Sequence, residues 1–575
     1  MEIKSDKNKY FNAIERINFF KKYILFNKNI LFFLLTLIIV IVPLDLGVNN
    51  NNNKFLLKSR QKIISTIPNF FKLIGNRQLT YIVSESISYG DNLFNISKRY
   101  IKANIKRKDI LYLDIKFNDI EKLRAIRNNA IKNGILLRSA NDEVPASLRY
   151  KSKNYPVNLR LKGDWTDHLL GNKWSYKVSV RKKKAFNGLK EFSLQHPRTR
   201  NYINEYLFQT FLKNEKAPYL RYDFVELNVN GESRGAYAIE EHFTKNLLEN
   251  SGFREGPIIK IAEQDLWNNR KDFISITNEQ FSTDLNTEKN SEITAFNLNK
   301  IINDKNLNKQ LFNAKDLLDK FLRGEEKANK VFEIKYTAIF YALCDLFASR
   351  HGQIWTNFRF YYNPVISRLI PIGFDAEPPI RQKDRKLSID KNTFNIFEDL
   401  NLTEKYISYL EKFSQRDYID NVLKKYNKDI EEKIEVINKS FPYVKLLKEE
   451  LIKSQNYINR RLNPINPIDI YYIDEIKNEM EFFLFNKNKF PIEIVSLNID
   501  DNKFTPTKKI ILKGSERYLR KEYENFKFKK SKGLKKISES KIELNFKLLG
   551  SKRIQRSLIK EKKFFENTNI NLDLI

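Results

Sequence analysis

Apolar residues recur with a two-residue period in several short segments of the chain, which is typical of half-buried β-strands. The first such segment is Ile110–Phe117, and the next two are Ala146–Tyr150 and Pro156–Lys162, joined by a turn over Lys151–Tyr155. A strong hairpin signal, Asn230-Gly231, separates two more strands. The further predicted strands are Tyr176–Arg181, Phe192–Leu194, Asp223–Val229, Gly235–Glu240, Ile258–Ile261, Phe358–Tyr362 and Leu369–Phe374.

Helical spacing of apolar residues appears between these strands. It predicts a helix over Asn118–Asn133, which Gly134 ends, and an amphipathic helix over Asn201–Lys213. Residues 284–345 and 403–462 are predicted to be mainly helical. Strand-rich and helix-rich regions are thus segregated, which indicates an α+β protein.

Pro464 and Pro467 mark a boundary after the last predicted helix. Beyond them, strand-like segments predict a basic β-rich domain over residues 464–575, similar to a small β-sandwich. These segments are Glu481–Leu484, Pro491–Leu497, Lys509–Leu512 and Lys541–Leu548. With the N-terminal segments, four regions are expected: 1–53, 54–144, 145–463 and 464–575.

Near the N-terminus, Ile30–Leu44 is an uncharged apolar run preceded by many basic residues and followed by the polar tract Asn49–Asn53. The run is shorter than the roughly 20 residues of a full membrane span. The basic residues before it predict a single-pass anchor with a cytoplasmic N-terminus and the bulk of the chain outside the cytoplasm. A cleaved signal peptide and a soluble helix are the alternatives, although no small-residue cleavage site follows the run.

The formal net charge of +33 bears on partners rather than on fold. An anionic membrane or envelope surface and a phosphorylated substrate fit this charge, but the absence of nucleic-acid-binding motifs makes nucleic acid an unlikely partner. The single cysteine, Cys344, excludes an intrachain disulfide, and its apolar surroundings indicate a buried core residue. Walker, G-x-G-x-x-G, G-x-S-x-G and H-E-x-x-H motifs are absent from the sequence.

Several short motifs occur in order along the middle of the chain and together resemble the CotH-type spore-coat kinase family. They are Leu159-Arg-Leu-Lys-Gly-Asp164, Lys173-Trp-Ser-Tyr-Lys-Val178, Gly188-Leu-Lys-Glu-Phe-Ser-Leu194, Leu227-Asn-Val-Asn-Gly231, Gly235-Ala-Tyr-Ala-Ile-Glu240, Asn357-Phe-Arg-Phe-Tyr-Tyr-Asn-Pro364 and Pro371-Ile-Gly-Phe-Asp375. The resemblance implies an atypical kinase-like core over residues 145–463, with a β-rich N-terminal lobe and a mainly helical C-terminal lobe. It also implies phosphoryl transfer from ATP with Mg²⁺ or Mn²⁺.

Phosphoryl transfer needs oxygen ligands for a divalent cation. Asp375 emerges at the end of an apolar strand and is the best candidate, for metal binding and for catalysis. Glu377 follows two residues later and is a second candidate ligand. The resemblance implies that Asn357 contributes its amide oxygen to the same metal. The alternatives are a helix-capping or loop role for the carboxylates and a turn role for the asparagine.

The family places a catalytic aspartate several residues before that asparagine. Here no acidic residue lies between Asp345 and Asn357, and His351 stands nearest to the expected position. His351 is therefore the candidate general base, or else it marks a catalytic step that was lost. Asp345 is expected to be structural.

Phosphate binding also needs a lysine, and Lys177, Lys260 and Lys162 are the candidates, with Lys173 as a further rival. Glu240 is the candidate ion-pair partner for that lysine, and Glu205 is its rival. In a chain with 103 Lys and Arg residues, most lysines are simply solvated.

Three hypotheses follow from these residues. The first is a membrane-anchored atypical kinase acting on a protein or envelope substrate. The second is a non-catalytic kinase-like envelope or coat protein that grips an anionic surface with its basic C-terminal region. The third is a kinase-like transferase acting on a surface polysaccharide.

Overall fold

The computed structural model describes residues 93–105, 109–139, 141–182, 184–277, 291–379, 385–391, 393–476, 479–500, 502–506, 508–515, 524–529 and 541–558. The expected anchor at Ile30–Leu44 and residues 54–92 of the expected region 54–144 lie outside these residues. Within the part of the chain that is described, none of the helices combines the length and the apolar character that crossing a bilayer requires.

The chain divides into two compact units, residues 1–108 with 432–446, and residues 109–431 with 447–575. In the first unit, α1 (Leu93–Ile105) is joined to the 432–446 segment by polar contacts. Arg99 Nε donates to the carbonyl oxygen of Pro442 at 2.7 Å, and Lys102 pairs with Glu435 at 3.2 Å.

A closed seven-stranded barrel begins the second unit, with strand order β1-β2-β3-β4-β5-β7-β6. Its strands are β1 (Ile110–Ile115), β2 (Val144–Tyr150), β3 (Lys153–Leu161), β4 (Tyr176–Val180), β5 (Glu191–Gln195), β6 (Tyr222–Val229) and β7 (Glu232–Glu241). Alternate residues point inward, so that Leu113, Leu159, Val178 and Leu227 are fully buried in one core. Parallel pairing of β1 with β6 closes the barrel.

The strand β1 therefore belongs to the barrel, together with α2 (Phe117–Asn133). The sequence placed a domain boundary at residue 144, between β1 and β2. The structure differs there because Leu111–Ile115 pairs along its length with β2. The motif-bearing core thus begins at about residue 109 in the structure.

The first hairpin is tighter than the sequence indicated. A turn over Lys151–Tyr155 was expected, but β2 and β3 pair up to Tyr150 and Lys153. Lys151 adopts a left-handed conformation (φ 52°), which lets two residues reverse the chain. The predicted hairpin at Asn230-Gly231 is confirmed.

Helices surround a second, four-stranded sheet of order β11-β10-β8-β9. Its strands are β8 (Ile258–Ile261), β9 (Ile293–Ala295), β10 (Phe360–Asn363) and β11 (Arg368–Pro371). The helices of this region are α3 (Ile203–Asn214), α4 (Lys245–Asn250), α5 (Gln264–Thr277), α6 (Leu298–Ile302), α7 (Lys305–Leu322), α8 (Ala328–Val331), α9 (Ile334–Phe347), α10 (Ser388–Lys391), α11 (Leu400–Phe413), α12 (Tyr418–Lys425) and α14 (Lys448–Arg461). One more helix, α13 (Asn427–Asn438), has residues in both units. Of these, α9 is buried on all sides from Thr337 to Phe347. Cys344 lies in this buried stretch, as expected.

The hairpin of β10 and β11 is shorter than predicted. A strand was expected from Phe358, but it begins at Phe360, and Trp355–Asn357 forms a 3₁₀ turn before it. At the other end, the chain leaves the sheet after Pro371, and only the bond from Ile372 N to Arg359 O (2.8 Å) continues the pairing. Asp375 therefore lies on a loop beyond the strand end, and Asn357 lies on a turn before one.

The last region is rich in β-structure, as predicted. One sheet has the order β12-β13-β17, with strands β12 (Ile468–Ile476), β13 (Glu479–Asn486) and β17 (Glu524–Lys529). The other has the order β15-β14-β18-β19, with β16 also paired to β14. Its strands are β14 (Ile492–Ile499), β15 (Asn502–Phe504), β16 (Ile510–Leu512), β18 (Ile542–Leu548) and β19 (Gln555–Leu558). The predicted mixed α+β class is thus confirmed.

The segment after β11 reaches its position because Gly373 passes directly against α3. A Cβ atom at Gly373 would lie 2.5 Å from Leu212 Cδ1 and 2.9 Å from Phe208 Cε1. The carbonyl oxygen of Gly373 accepts from Gln209 Nε2 at 3.0 Å. Close packing on α3 therefore fixes the backbone two residues before Asp375.

We predict that Gly373→Ala destabilises the protein by about 1–3 kcal/mol, because the added methyl group overpacks this contact. Leu212→Ala removes the nearest obstructing atom. The double variant should therefore lose less stability than the sum of the two single losses. Thermal or denaturant unfolding of the four proteins measures this, and strict additivity would show that the contact is looser than the structure indicates.

Candidate functional site

Three side chains converge at the turn between α9 and β10 and the loop after β11. Ligand atoms of His351, Asp375 and Glu377 all lie within 4.8 Å of one another. His351 Nδ1 is 3.2 Å from Asp375 Oδ1 and 3.5 Å from Glu377 Oε2. Two carboxylates and an imidazole are a donor set that suits a divalent cation. Among the described residues, this is the one cluster of this kind.

The loop that carries the two carboxylates has an unusual backbone. Asp375 (φ 49°) and Glu377 (φ 44°) are both left-handed, which is uncommon for residues other than glycine and costs free energy. The amide of Glu377 donates to Glu205 Oε2 at 3.1 Å, and the carbonyl oxygen of Asp375 lies 3.0 Å from His351 Nδ1. These contacts hold both carboxylates toward His351.

Asn357 reaches the same histidine. Its Nδ2 donates to the carbonyl oxygen of His351 at 3.0 Å and lies 3.1 Å from His351 Nδ1. Asn357 Nδ2 and Asp375 Oδ1 thus both lie close to the same imidazole nitrogen. Because the amide nitrogen faces His351, the structure shows Asn357 bound to this turn. Its expected role as a metal ligand through the amide oxygen stays a prediction.

A buried arginine, Arg200, lies behind the cluster. It sits at the end of the 3₁₀ turn Pro197–Arg200, between β5 and α3. Its Nη1 is 2.9 Å from Asp375 Oδ1, and its Nε is 3.5 Å from Glu240 Oε2. Sequence reasoning missed Arg200, because nothing in its local sequence distinguishes it from the other basic residues.

The ion pair expected for a phosphate-binding lysine forms at Lys162. Its Nζ lies 2.5 Å from Glu240 Oε1 and 2.9 Å from Gln195 Oε1. Gln195 in turn donates to Glu240 Oε2 at 3.1 Å. Glu240, at the end of β7, therefore connects the lysine to Arg200.

The other candidate lysines have different partners. Lys177 pairs with Glu191 at 2.8 Å on the neighbouring strand β5. Lys260 pairs with Glu263 at 3.1 Å and lines a cavity of about 180 Å³ with Arg138, Asp164 and Trp267. Lys173 donates to the carbonyl oxygen of Arg234. Geometry thus favours Lys162, although the choice among these lysines stays a prediction.

Burial and charge together set the protonation of the cluster. Burial alone would raise the pKa of Asp375, but the Arg200 guanidinium and His351 hold it well below its usual range. Burial would lower the pKa of His351, but the adjacent Asp375 and Glu377 raise it to about 9. Burial lowers the pKa of Lys162 and raises that of Glu205 to about 7. Asp375 is therefore a permanent anion among cations.

Cations from separate elements act on this carboxylate. Those that lower the pKa of Asp375 are Arg200, His351 and Lys162. Asp375 acts in turn on the buried Arg359, whose pKa is lowered by burial and raised by Glu263 and Asp375. Positive charge therefore predominates around Asp375.

Asp345, the nearest acidic residue before His351, is structural, as expected. Its Oδ1 accepts from the amide and the hydroxyl of Ser388 at 2.8 and 2.7 Å, and its Oδ2 accepts from the Tyr406 hydroxyl. These bonds tie α9 to α10 and α11. The carboxyl group that kinases place before the asparagine is therefore not supplied by Asp345.

We predict that Arg200→Met destabilises the fold by about 3–5 kcal/mol, because it leaves Glu240 and Asp375 buried without their shared cation. Arg124→Met is the matched control. Arg124 and Glu121 form a pair whose side chains are 52% and 40% exposed, so its loss should cost less than about 1 kcal/mol. If denaturant unfolding showed that both variants lose the same free energy of unfolding, a special role of Arg200 in stability would be contradicted.

A second prediction concerns pH and Asp345. Burial raises the pKa of Asp345 from 3.8 to about 7. Between these two pKa values the folded protein keeps the proton, whereas the unfolded chain releases it. The protonated carboxyl therefore stabilises the fold at low pH, and this stabilisation is lost as pH rises toward about 7. Asp345→Asn lacks this dependence, because its side chain does not titrate.

The stability of the wild type relative to Asp345→Asn should therefore fall between pH 5 and pH 8. Melting temperatures of both proteins at the two pH values measure this. A difference that stays constant, or that grows with pH, would show that the three hydrogen bonds keep Asp345 ionised throughout.

Comparison with known families places this geometry in context. Residues 159–361 match the family model described as CotH kinase protein. The match runs from the end of β3 into β10 and includes Lys162, Arg200, Glu240, His351 and Asn357, whereas Asp375 and Glu377 lie beyond it. No curated protein matches the chain.

Proposed function

Because this chain is a CotH-type family protein over residues 159–361, we propose that it is an atypical kinase that transfers a phosphoryl group from ATP to a protein or envelope substrate. One observation carries the proposal. The cluster of His351, Asp375 and Glu377 is linked through Arg200 to the buried pair of Lys162 and Glu240. Carboxylates for a metal and a glutamate-held lysine for phosphate are the parts that kinases require.

The residues present fit a divalent cation. Asp375 Oδ1 is buried and accepts no well-aligned hydrogen bond, although it lies near two cationic groups. Asp375 and Glu377 would hold Mg²⁺ or Mn²⁺, with His351 or Asn357 beside them. When bound, the cation supplies positive charge that neutralises the phosphate oxygens during transfer.

Residues of the chain itself would position the phosphate groups. Lys162 is the candidate lysine that reaches Glu240; burial lowers its pKa, and Glu240 opposes that shift. Glu240 and Gln195 each accept one hydrogen bond from the ammonium group, so that its one remaining hydrogen points to a defined place. Lys177 and Lys260 do not share this contact, because they pair with Glu191 and Glu263.

His351 is the residue proposed to handle the acceptor hydroxyl. Its contacts with described residues use Nδ1, and its side chain is 42% exposed, so the other edge of the ring is accessible. A hydroxyl group that attacks phosphorus must lose its proton. Because the pKa of His351 is raised to about 9, its imidazole must release its own proton before it can accept that one.

A non-catalytic kinase-like envelope or coat protein is the second candidate. Two observations favour it. No Asp or Glu lies between Asp345 and Asn357, and Arg200 already neutralises Asp375 without a metal ion. In this case the site would bind a ligand or support assembly, and no phosphoryl group would be transferred.

Location is also part of the proposal. The apolar run Ile30–Leu44 would tether the protein to a membrane, with the bulk outside the cytoplasm. The excess positive charge would favour an anionic surface. Both features suit an envelope substrate, and neither distinguishes the two candidates.

Metal and nucleotide binding by the full chain test the proposal. We predict that Mn²⁺ at about 100 times its dissociation constant stabilises the protein by about 2.7 kcal/mol, and that ATP adds a further shift. Asp375→Asn should abolish the response to Mn²⁺. Glu377→Gln, whose parent side chain is 40% exposed, should weaken it without unfolding the protein.

Asp114→Asn is the matched control, because it removes one exposed carboxylate from β1 and should respond like the wild type. Radiolabelled phosphoryl transfer then separates the two candidates. Transfer that is lost in His351→Gln supports the kinase. Binding without any transfer supports the coat protein, and no Mn²⁺ response at all would refute the metal site.

A further inference from the structure

A basic groove lies in the C-terminal β-region, outside the residues that match the family model. It has a volume of about 600 Å³ and is open to solvent. Its charged lining consists of one glutamate, Glu493, and four lysines. The lysines are Lys508, Lys509, Lys547 and Lys552.

The positive charge of the groove is not balanced internally. Glu493 pairs with both Lys509 (3.2 Å) and Lys547 (3.0 Å), so its single charge is shared. Lys508 and Lys552 are exposed, and neither has an acidic partner among the described residues. An excess of positive charge in a concave site attracts a complementary anion.

Apolar residues lie beside the lysines. Ile494, Val495 and Pro506 line the groove with Ile554, which is 61% exposed. The pairing along one edge of β14 is also interrupted here. β14 pairs with β16 up to Ile494 and with β15 only from Leu497 onward. Val495 has no register partner in β15, β16 or β18. The floor of the groove is therefore apolar and lies where the pairing of β14 is interrupted.

One wall of the groove is firmly attached to the helical region. Gly550 packs so closely on α11 that a Cβ atom there would lie 2.0 Å from the carbonyl oxygen of Glu404. Glu411 of α11 accepts from the Ser551 hydroxyl (3.2 Å) and from the amide of Lys552 (2.9 Å). Arg553 Nε adds an ion pair to Glu411 at 3.3 Å. The groove is thus preformed, which lowers the cost of ordering it on binding.

We propose that this groove binds an extended acidic polypeptide segment in which apolar residues alternate with Asp or Glu. The lysines match the carboxylates, and the apolar floor matches the intervening side chains. An inorganic polyanion would leave Ile554 and Pro506 uncovered. A membrane surface is flat, whereas the site is concave. The inference does not depend on phosphoryl transfer.

Fluorescence anisotropy of the full chain with a labelled peptide of alternating glutamate and valine tests this proposal. The double variant Lys508→Glu/Lys552→Glu should weaken binding by about tenfold or more, because like charges then face each other. Ile554→Ser should weaken peptide binding but leave any binding of polyphosphate unchanged.

The matched control is Lys527→Glu/Lys541→Glu, which makes the same change in net charge at exposed lysines of β17 and of the start of β18. It should retain the wild-type affinity within about threefold. Asp375→Asn should also bind the peptide normally, which separates this test from the kinase proposal. An unchanged melting temperature shows that each variant is folded.

Three results would overturn the proposal. Equal losses in both lysine pairs would show only non-specific attraction by the net charge. Tighter binding of polyphosphate, or of phosphatidylglycerol vesicles, with the same dependence on Lys508 and Lys552 would show that the occupant is another anion. No binding of any of these probes would show that the groove has no anionic occupant.

Discussion

The arrangement of the site depends on one buried cation between two buried carboxylates. Arg200 is 6% exposed and lies against Asp375 on one side and Glu240 on the other. Taking either carboxylate out of water alone would cost several kcal/mol, and a shared guanidinium makes both tolerable. Arg200 comes from the turn before α3, Glu240 from the barrel, and Asp375 from the loop after β11. The same ion network therefore joins three elements and sets the charge of the site.

This constraint explains why the carboxylates and the lysine share one site although they are far apart in sequence. Lys162 ends the strand β3, and Glu240 ends β7 across the barrel. His351 and Asn357 come from the turn after the most buried helix. Side chains at the end of the barrel meet side chains at the edge of the second sheet, so the candidate site lies where these two substructures join.

Much of this fold was predictable from apolar periodicity. The strands of the barrel and the hairpin at Asn230-Gly231 follow from alternation and turn residues. Asp375, Glu377 and Asn357 lie close to His351 in the structure, and their roles in metal binding and catalysis stay predictions. Arg200 was not predictable, because its role depends on burial rather than on its neighbours in sequence. The same holds for the choice of Lys162 over Lys177, which depends on which lysine reaches Glu240, and for the inclusion of β1 in the barrel, which depends on pairing between distant segments.

The left-handed backbone at Asp375 has an evolutionary consequence. Glycine adopts such a conformation without strain, and asparagine adopts it more readily than most residues. Replacing Asp375 would relieve this strain but would also remove one of the two carboxylates that Arg200 contacts, so the two effects on stability oppose each other. A relative with glycine at this position would keep the course of the loop and lose one carboxylate from the cluster.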